Sequence, residues 1–86
     1  MIESQGNIIV YGTTWCPDCR NAKQFLGEHL VQYLWVDIEQ DAEAMAEVVR
    51  INRGNRSVPT IVFPDGGVLV EPNGQQLAEK LGLHSE

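Results

Sequence analysis

The sequence predicts an α/β fold of seven elements in the order β-α-β-α-β-β-α, and three of its features point there. A β-branched run, Asn7-Ile8-Ile9-Val10-Tyr11, stops at Gly12-Thr13-Thr14, as a buried strand does where it turns into a loop. From Pro17 onward, apolar residues recur at spacings of three and four, the period of an amphipathic helix. Towards the C-terminus, two short apolar runs flank Pro64-Asp65-Gly66-Gly67, a connection short enough for an antiparallel hairpin.

Each element has its own ground. In the first helix Ala22, Phe25, Leu26, His29 and Leu30 form the apolar stripe, while Arg20, Asn21, Lys23, Gln24 and Glu28 fall elsewhere. Residues 31–38 hold Val, Tyr, Leu, Trp, Val and Ile with little polar relief before Asp37, the composition of a second buried strand. Strand, helix and strand in succession imply a right-handed parallel crossover. Residues 41–53 place Ala42, Met45, Ala46 and Val49 on one side of a second helix, with acidic residues leading, arginines trailing and Gly54-Asn55 ending it. The hairpin strands are Val58-Pro59-Thr60-Ile61-Val62-Phe63 and Val68-Leu69-Val70. After Pro72, Asn73 with Gln76 three positions on is a capping-box start for a last helix that uses Leu77, Ala78 and Leu81. The tail His84-Ser85-Glu86 is expected to fray. No repeat or linker interrupts the 86 residues, so a single domain over residues 1–86 is expected.

Composition excludes several function classes. Apolar residues make up 43% of the chain but lie in short blocks, far from the run of about 18 that a membrane span requires. The first ten residues place no basic residue ahead of their apolar run, so no secretory pattern is present and a cytoplasmic location is expected. A net charge of -6 argues against nucleic-acid binding, which needs a surplus of Lys and Arg. Within that acidic chain, Arg50, Arg53 and Arg56 reverse the local sign.

The two cysteines, Cys16 and Cys19, are three positions apart, and in a reducing compartment such a pair serves poorly as a permanent staple. Chemistry is the better use. Proline is preferred at the first position of a helix, where its missing N–H has no helical partner to lose. Pro17 there makes Cys16 the N-cap, facing the free amides of Asp18 and Cys19, and the positive end of the helix dipole favours a thiolate over a thiol. Cys16 is therefore the expected nucleophile. Cys19, one turn further in, can close a disulfide with it and is expected to be more buried and less ionised, the resolving thiol. The cycle is attack on a disulfide, a mixed disulfide, and release by Cys19 or by an external thiol. Asp18 suits a helix N-terminus and also sets negative charge beside Cys16, so capping and tuning both stand as its role.

Thr14-Trp15-Cys16-Pro17-Asp18-Cys19, followed by Ser57-Val58-Pro59-Thr60, resembles the glutaredoxin family over nearly the whole chain. Asn55-Arg56-Ser57-Val58-Pro59-Thr60, Phe63, Asp65-Gly66, Leu69 and Pro72 resemble its actinobacterial mycoredoxin branch. The resemblance implies a thioredoxin-like (glutaredoxin) fold, a four-stranded mixed sheet flanked by three helices. It implies an enzyme that reduces disulfides between proteins and mycothiol, with no bound cofactor and a low-molecular-weight thiol, mycothiol or glutathione, as cosubstrate. It also implies that Cys16 attacks, that Pro59 is a cis proline beside it, and that the Val58 backbone pairs with the substrate's cysteinyl segment. Trp15, Pro17 and Ser57 complete the substrate-binding set. From the residues alone, a trans Pro59 opening an edge strand is the alternative. Glutathione-using members usually carry Gly-Gly-x-Asp-Asp near the last helix, whereas this chain has Leu69-Val70-Glu71-Pro72-Asn73-Gly74, a departure that points away from glutathione. Its Cys-Pro-Asp-Cys centre also differs from the Cys-Gly-Tyr-Cys of mycoredoxins.

The expected partners are disulfide-containing proteins and a donor that is either a small thiol or a flavoprotein reductase, and a monomer is expected. Two other functions compete: a redoxin recharged by thioredoxin reductase that supplies electrons to ribonucleotide reductase, and an iron-sulfur cluster or metal carrier. A mononuclear zinc site wants four protein ligands, and beyond the cysteines only His29 and His84 could contribute, so no metal site is expected. Arg53 and Arg56 either hold carboxylates of a small-thiol cosubstrate or form a solvated helix end. Trp15 and Tyr11 either shape a substrate groove or pack, and Phe25, Trp35, Met45 and Phe63 read as packing.

Overall fold

A computed structural model describes residues 7–83, so the tail from His84 and its possible ligand lie outside the described residues. Seven elements follow in the expected order: β1 (Ile8–Gly12), α1 (Pro17–Glu28), β2 (Tyr33–Asp37), α2 (Ala42–Ile51), β3 (Thr60–Val62), β4 (Val68–Val70) and α3 (Gly74–Leu81). The strands form one mixed sheet in the spatial order β2-β1-β3-β4. β1 runs parallel to β2 with Val10 opposite Trp35, and antiparallel to β3 with Val10 opposite Ile61. β3 and β4 pair as the antiparallel hairpin, Ile61 opposite Leu69.

Strand alternation sorts the side chains onto two faces. On one, Ile8, Val10 and Ile61 bury against Ala22 and Leu26 of α1 and Leu77 of α3. On the other, Tyr11 and Val36 pack with Ile38, Met45, Val58 and the buried Ala44 and Val48 of α2. β1 thus lies inside the sheet with helices on both sides, and its C-terminal end delivers the chain into the loop that carries the cysteines. Among the described residues, no helix is long and apolar enough to cross a membrane.

Several expectations require correction. β2 is an edge strand, not a buried one: its outer neighbour position is empty in the sheet order and Leu34 is 50% exposed. The buried stripe of α2 is Ala44 and Val48 with Met45 beside them, while Ala42 and Ala46 face solvent. Asp41 sets where that helix starts, its Oδ1 accepting from the amides of Glu43 and Ala44 at 3.1 Å each. Alanines fit either side of such a helix, so the need to cover Tyr11, Val36 and Ile38 decides which side turns inward. Leu30 leaves the apolar stripe, because α1 stops at Glu28 and Leu30 is 91% exposed.

The helix ends share one device. After α1 the Val31 amide reaches back to the Leu26 carbonyl at 2.9 Å and Leu30 takes a left-handed φ of 59°. After α2 the Gly54 amide bonds the Val49 carbonyl at 2.8 Å and Arg53 takes φ 56°. This six-to-one closure with a left-handed residue between is the Schellman arrangement, and it ends α2 at Ile51, short of the expected Arg53. α3 closes likewise on Gly82, and opens on the expected capping box, Asn73 Oδ1 accepting from the Gln76 amide at 2.8 Å while Gln76 Oε1 accepts from the Asn73 amide at 2.9 Å. Leucine is a poor occupant of the left-handed position, where its Cβ crowds the following carbonyl. Leu30→Gly is expected to raise stability by about 0.5–1 kcal/mol, read as a higher urea midpoint at unchanged slope.

Candidate active site

Pro17 is the first residue of α1, and Cys16 before it is extended (φ −85°, ψ 118°) at the N-cap. The Cys19 amide, which has no partner inside the helix, donates to Cys16 Sγ at 3.2 Å. On the opposite side, the Val58 carbonyl lies 3.8 Å from Cys16 Sγ and accepts its S–H, and the Val58-Pro59 peptide bond is cis. Cys16 is 6% exposed and Cys19 0%, and both are free thiols.

The loop that presents Val58 is tied at its base. Buried Thr60 donates through Oγ1 to the Ser57 carbonyl at 2.7 Å and accepts from Asn52 Nδ2 at 3.0 Å. Asn52 caps α2 and donates to the Val48 carbonyl as well, so the end of α2 and the start of β3 share one hydrogen-bond network. The Pro59 carbonyl accepts from the Glu71 amide at 2.8 Å, which joins the loop to the segment leading into α3.

Cys19 lies against the end of β1. A Cβ placed on Gly12 would come within 2.6 Å of Cys19 Sγ and 2.8 Å of the Trp35 ring, so only glycine leaves the sulfur its room. Burial pushes the Cys19 thiol up to about 12, and its hydrogen bond with Cys16 adds to the rise, while the Thr13 backbone amide opposes it.

Two depressions flank the dithiol. One, of about 290 Å³, is lined by Thr13, Trp15, Ile38, Glu39, Met45, Arg56 and Val58. Trp15 is 63% exposed there and its indole N–H donates to Glu39 Oε2 at 3.1 Å, which holds the ring as a wall. Thr13 is buried and its Oγ1 has no hydrogen-bond partner among the described residues. The other depression, of about 390 Å³, runs between α1 and the start of α3 and includes Asp18, Phe25, Glu28, Glu71 and Pro72. Among the described residues no three His, Cys, Asp or Glu side chains converge as a metal site.

The structure therefore brings Cys16, Cys19, Trp15, Pro17, Arg56, Val58 and Pro59 to one end of the sheet, with Ser57 acting through its carbonyl. Arg53 lines neither depression; it occupies the left-handed turn after α2 and is exposed. Gly12, Thr13, Glu39 and Asn52 belong to the site and had no sequence signal beyond a glycine at a strand end, where close backbone approach is common.

The family model for glutaredoxin matches residues 8–69, from the first strand into the fourth. The chain belongs to the glutaredoxin family. It is similar to a glutaredoxin homologue of Mycobacterium tuberculosis, 38% identical over 74 residues that cover 86% of this chain and 88% of the relative. It is similar also to mycoredoxin 1 of Corynebacterium glutamicum, 36% identical over 75 residues, 87% of this chain and 92% of that one. Among solved structures, the glutaredoxin of Archaeoglobus fulgidus superimposes with a TM-score of 0.76 at 25% identity, covering 91% of this chain and 88% of its own. A point mutant of the thioredoxin-like protein BC3987 does so at 0.81 and 30%, covering 93% and 100%. The chain is thus a glutaredoxin-like redox protein in which Cys16 and Cys19 lie side by side, and its fold is thioredoxin-like.

Two outcomes follow from the packing of Cys19. Gly12→Ala should destabilise the protein by about 1–3 kcal/mol in urea unfolding, since the added methyl overpacks a buried contact. For the thiol, the sign is set by its raised pKa. The buried neutral form favours folding fully below the ordinary value of 9.0, and that contribution is lost as pH rises from there towards about 12, because the unfolded chain releases its proton first. Cys19→Ala should therefore flatten the alkaline decline of stability in that window, measured as the difference between variant and wild type.

Proposed function

We propose that this glutaredoxin-family protein is a mycoredoxin-like reductase of mixed disulfides between proteins and a low-molecular-weight thiol. The observation that carries the reading is the placement of Cys16 Sγ, 3.2 Å from the Cys19 amide and 3.8 Å from the Val58 carbonyl, next to the depression that Trp15 and Val58 line. Cys16 as thiolate attacks the small-thiol sulfur of a mixed disulfide; that bond breaks, and the protein substrate leaves as a thiolate and takes up a proton. The small thiol is then held on Cys16. The Cys19 amide steadies the sulfur's charge before attack, and the Val58 backbone offers the incoming segment a strand edge. A second molecule of small thiol releases the adduct. Burial of Cys19 as a neutral thiol supports this route over internal closure near neutral pH.

Charge supports mycothiol over glutathione. The groove along α1 carries Asp18, Glu28 and Glu71, and in the smaller depression Glu39 offsets Arg56. Such walls disfavour glutathione, which carries two carboxylates, more than a sugar-linked thiol that carries none. Trp15 offers that thiol a flat apolar wall, and Arg56 rather than Arg53 is the cation within reach. A reducing cytoplasm is where such a cycle would run.

The test is NADPH consumption with a mixed-disulfide substrate, supplied in turn with mycothiol and its reductase, glutathione and its reductase, or thioredoxin reductase alone. Mycothiol should support turnover that survives Cys19→Ser and is abolished by Cys16→Ser. Turnover only with thioredoxin reductase, and only with both cysteines present, would instead make the protein a redoxin of the thioredoxin-reductase pathway.

A further inference from the structure

Cys19 is a buried thiol that the small-thiol cycle does not use. Cys19 is fully buried, and two features of its surroundings bear on its chemistry. The bare Gly12 faces both Cys19 Sγ and the six-membered ring of Trp35, whose Cη2 and Cζ3 atoms sit beside the same point of the β1 backbone as the sulfur. Lys23, four residues along α1 and so on the same helix face one turn later, extends over that indole with Nζ 3.8 Å from the ring centroid. Cys19 at the ring's edge and the ammonium over its face thus share Trp35 as a common wall, in a half-buried setting where a cation acts over longer range than in water.

We propose that Lys23, held by Trp35, is the positioning residue for internal disulfide closure: it supplies the positive charge that lets Cys19 lose its proton and attack. In that step the Cys19 proton passes to solvent and the sulfur attacks the Cys16 sulfur of the mixed disulfide. The bond between Cys16 and the small thiol breaks, and the thiol leaves as a thiolate. No external oxidant is needed, since one disulfide replaces another. The groups that act on the Cys19 charge are few. Burial opposes that charge most, Cys16 at the N-cap of α1 opposes it too, and Lys23 within α1 favours it. From the neighbouring strands Gly12 and Trp35 contribute no charge, and from the loop the Thr13 backbone amide favours ionisation. Lys23 is the full positive charge in this set, which is why the closing step should depend on it.

The inference rests on the proposed roles of Cys16 and Cys19 but not on the identity of the small thiol, and its test avoids the native donor. Reduced full-length protein is treated with a chromogenic aromatic disulfide. A first equivalent of coloured thiolate reports the adduct on Cys16, and a second, slower one reports closure by Cys19. The rate of the second phase is followed against pH for wild type, Lys23→Met and Lys23→Arg, with thermal unfolding of each variant as a check on folding. Lys23→Met should slow closure by about threefold to tenfold near neutral pH and move its pH midpoint upward, as expected for loss of one partly screened charge. Lys23→Arg should restore both. An unchanged midpoint in Lys23→Met, or an arginine variant that behaves like the methionine one, overturns the inference. Absence of the first phase would instead overturn the reading of Cys16 as nucleophile.

Discussion

A helix that begins at proline must find partners for its first amides outside itself, and here one of those partners is a sulfur. The bond from the Cys19 amide to Cys16 Sγ decides where the chemistry sits. It holds Cys16 at the N-cap, aims its sulfur away from the helix axis towards the Val58 carbonyl, and sends Cys19 inward to the end of β1. The remaining architecture keeps that bond in register. β1 lies inside the sheet and ends at Gly12, where the absence of a side chain makes room for the second sulfur. The network of Asn52, Thr60 and Ser57 fixes the loop that faces the first.

The two sulfurs are separated by three residues and by a sharp change of surroundings. Cys16 has an amide donor, a carbonyl acceptor and an open depression beside it. Cys19 has the backbone of β1, an indole and no solvent. That asymmetry separates the two sulfurs by surroundings rather than by residue type, and it is the ground on which the proposed external-thiol route rests. The same burial gives the interior thiol a cost of ionisation that a nearby ammonium can lessen.

Much of this was legible in the sequence because it is local. Pro17 after a cysteine announces a helix start, and Asn73 with Gln76 announces another; both depend on neighbours within four positions. What was not legible depends on pairings across the chain. Residues 31–38 read as a buried strand because they are apolar, yet strand order places β2 at the edge, and nothing in its own composition records which neighbours it lacks. Ala42, Ala44 and Ala46 are too alike for periodicity to choose the inward face of α2. Leu30 continues an apolar stripe that the Schellman closure cuts short, and Arg53, placed by charge beside Arg56, is spent on the left-handed turn instead. Glu39 on Trp15, Thr13 in the depression and Lys23 over Trp35 meet only when β1, β2 and α1 have assembled.

The most direct test of the Cys16 placement is to find which sulfur is modified first. Reduced wild-type protein is given less than one equivalent of a small-thiol disulfide, quenched with acid and mapped by mass spectrometry before the adduct can migrate. The adduct should lie on Cys16 alone, with Cys19 still a thiol. Substantial modification of Cys19 in the folded chain would contradict the division of roles between the capping sulfur and the buried one.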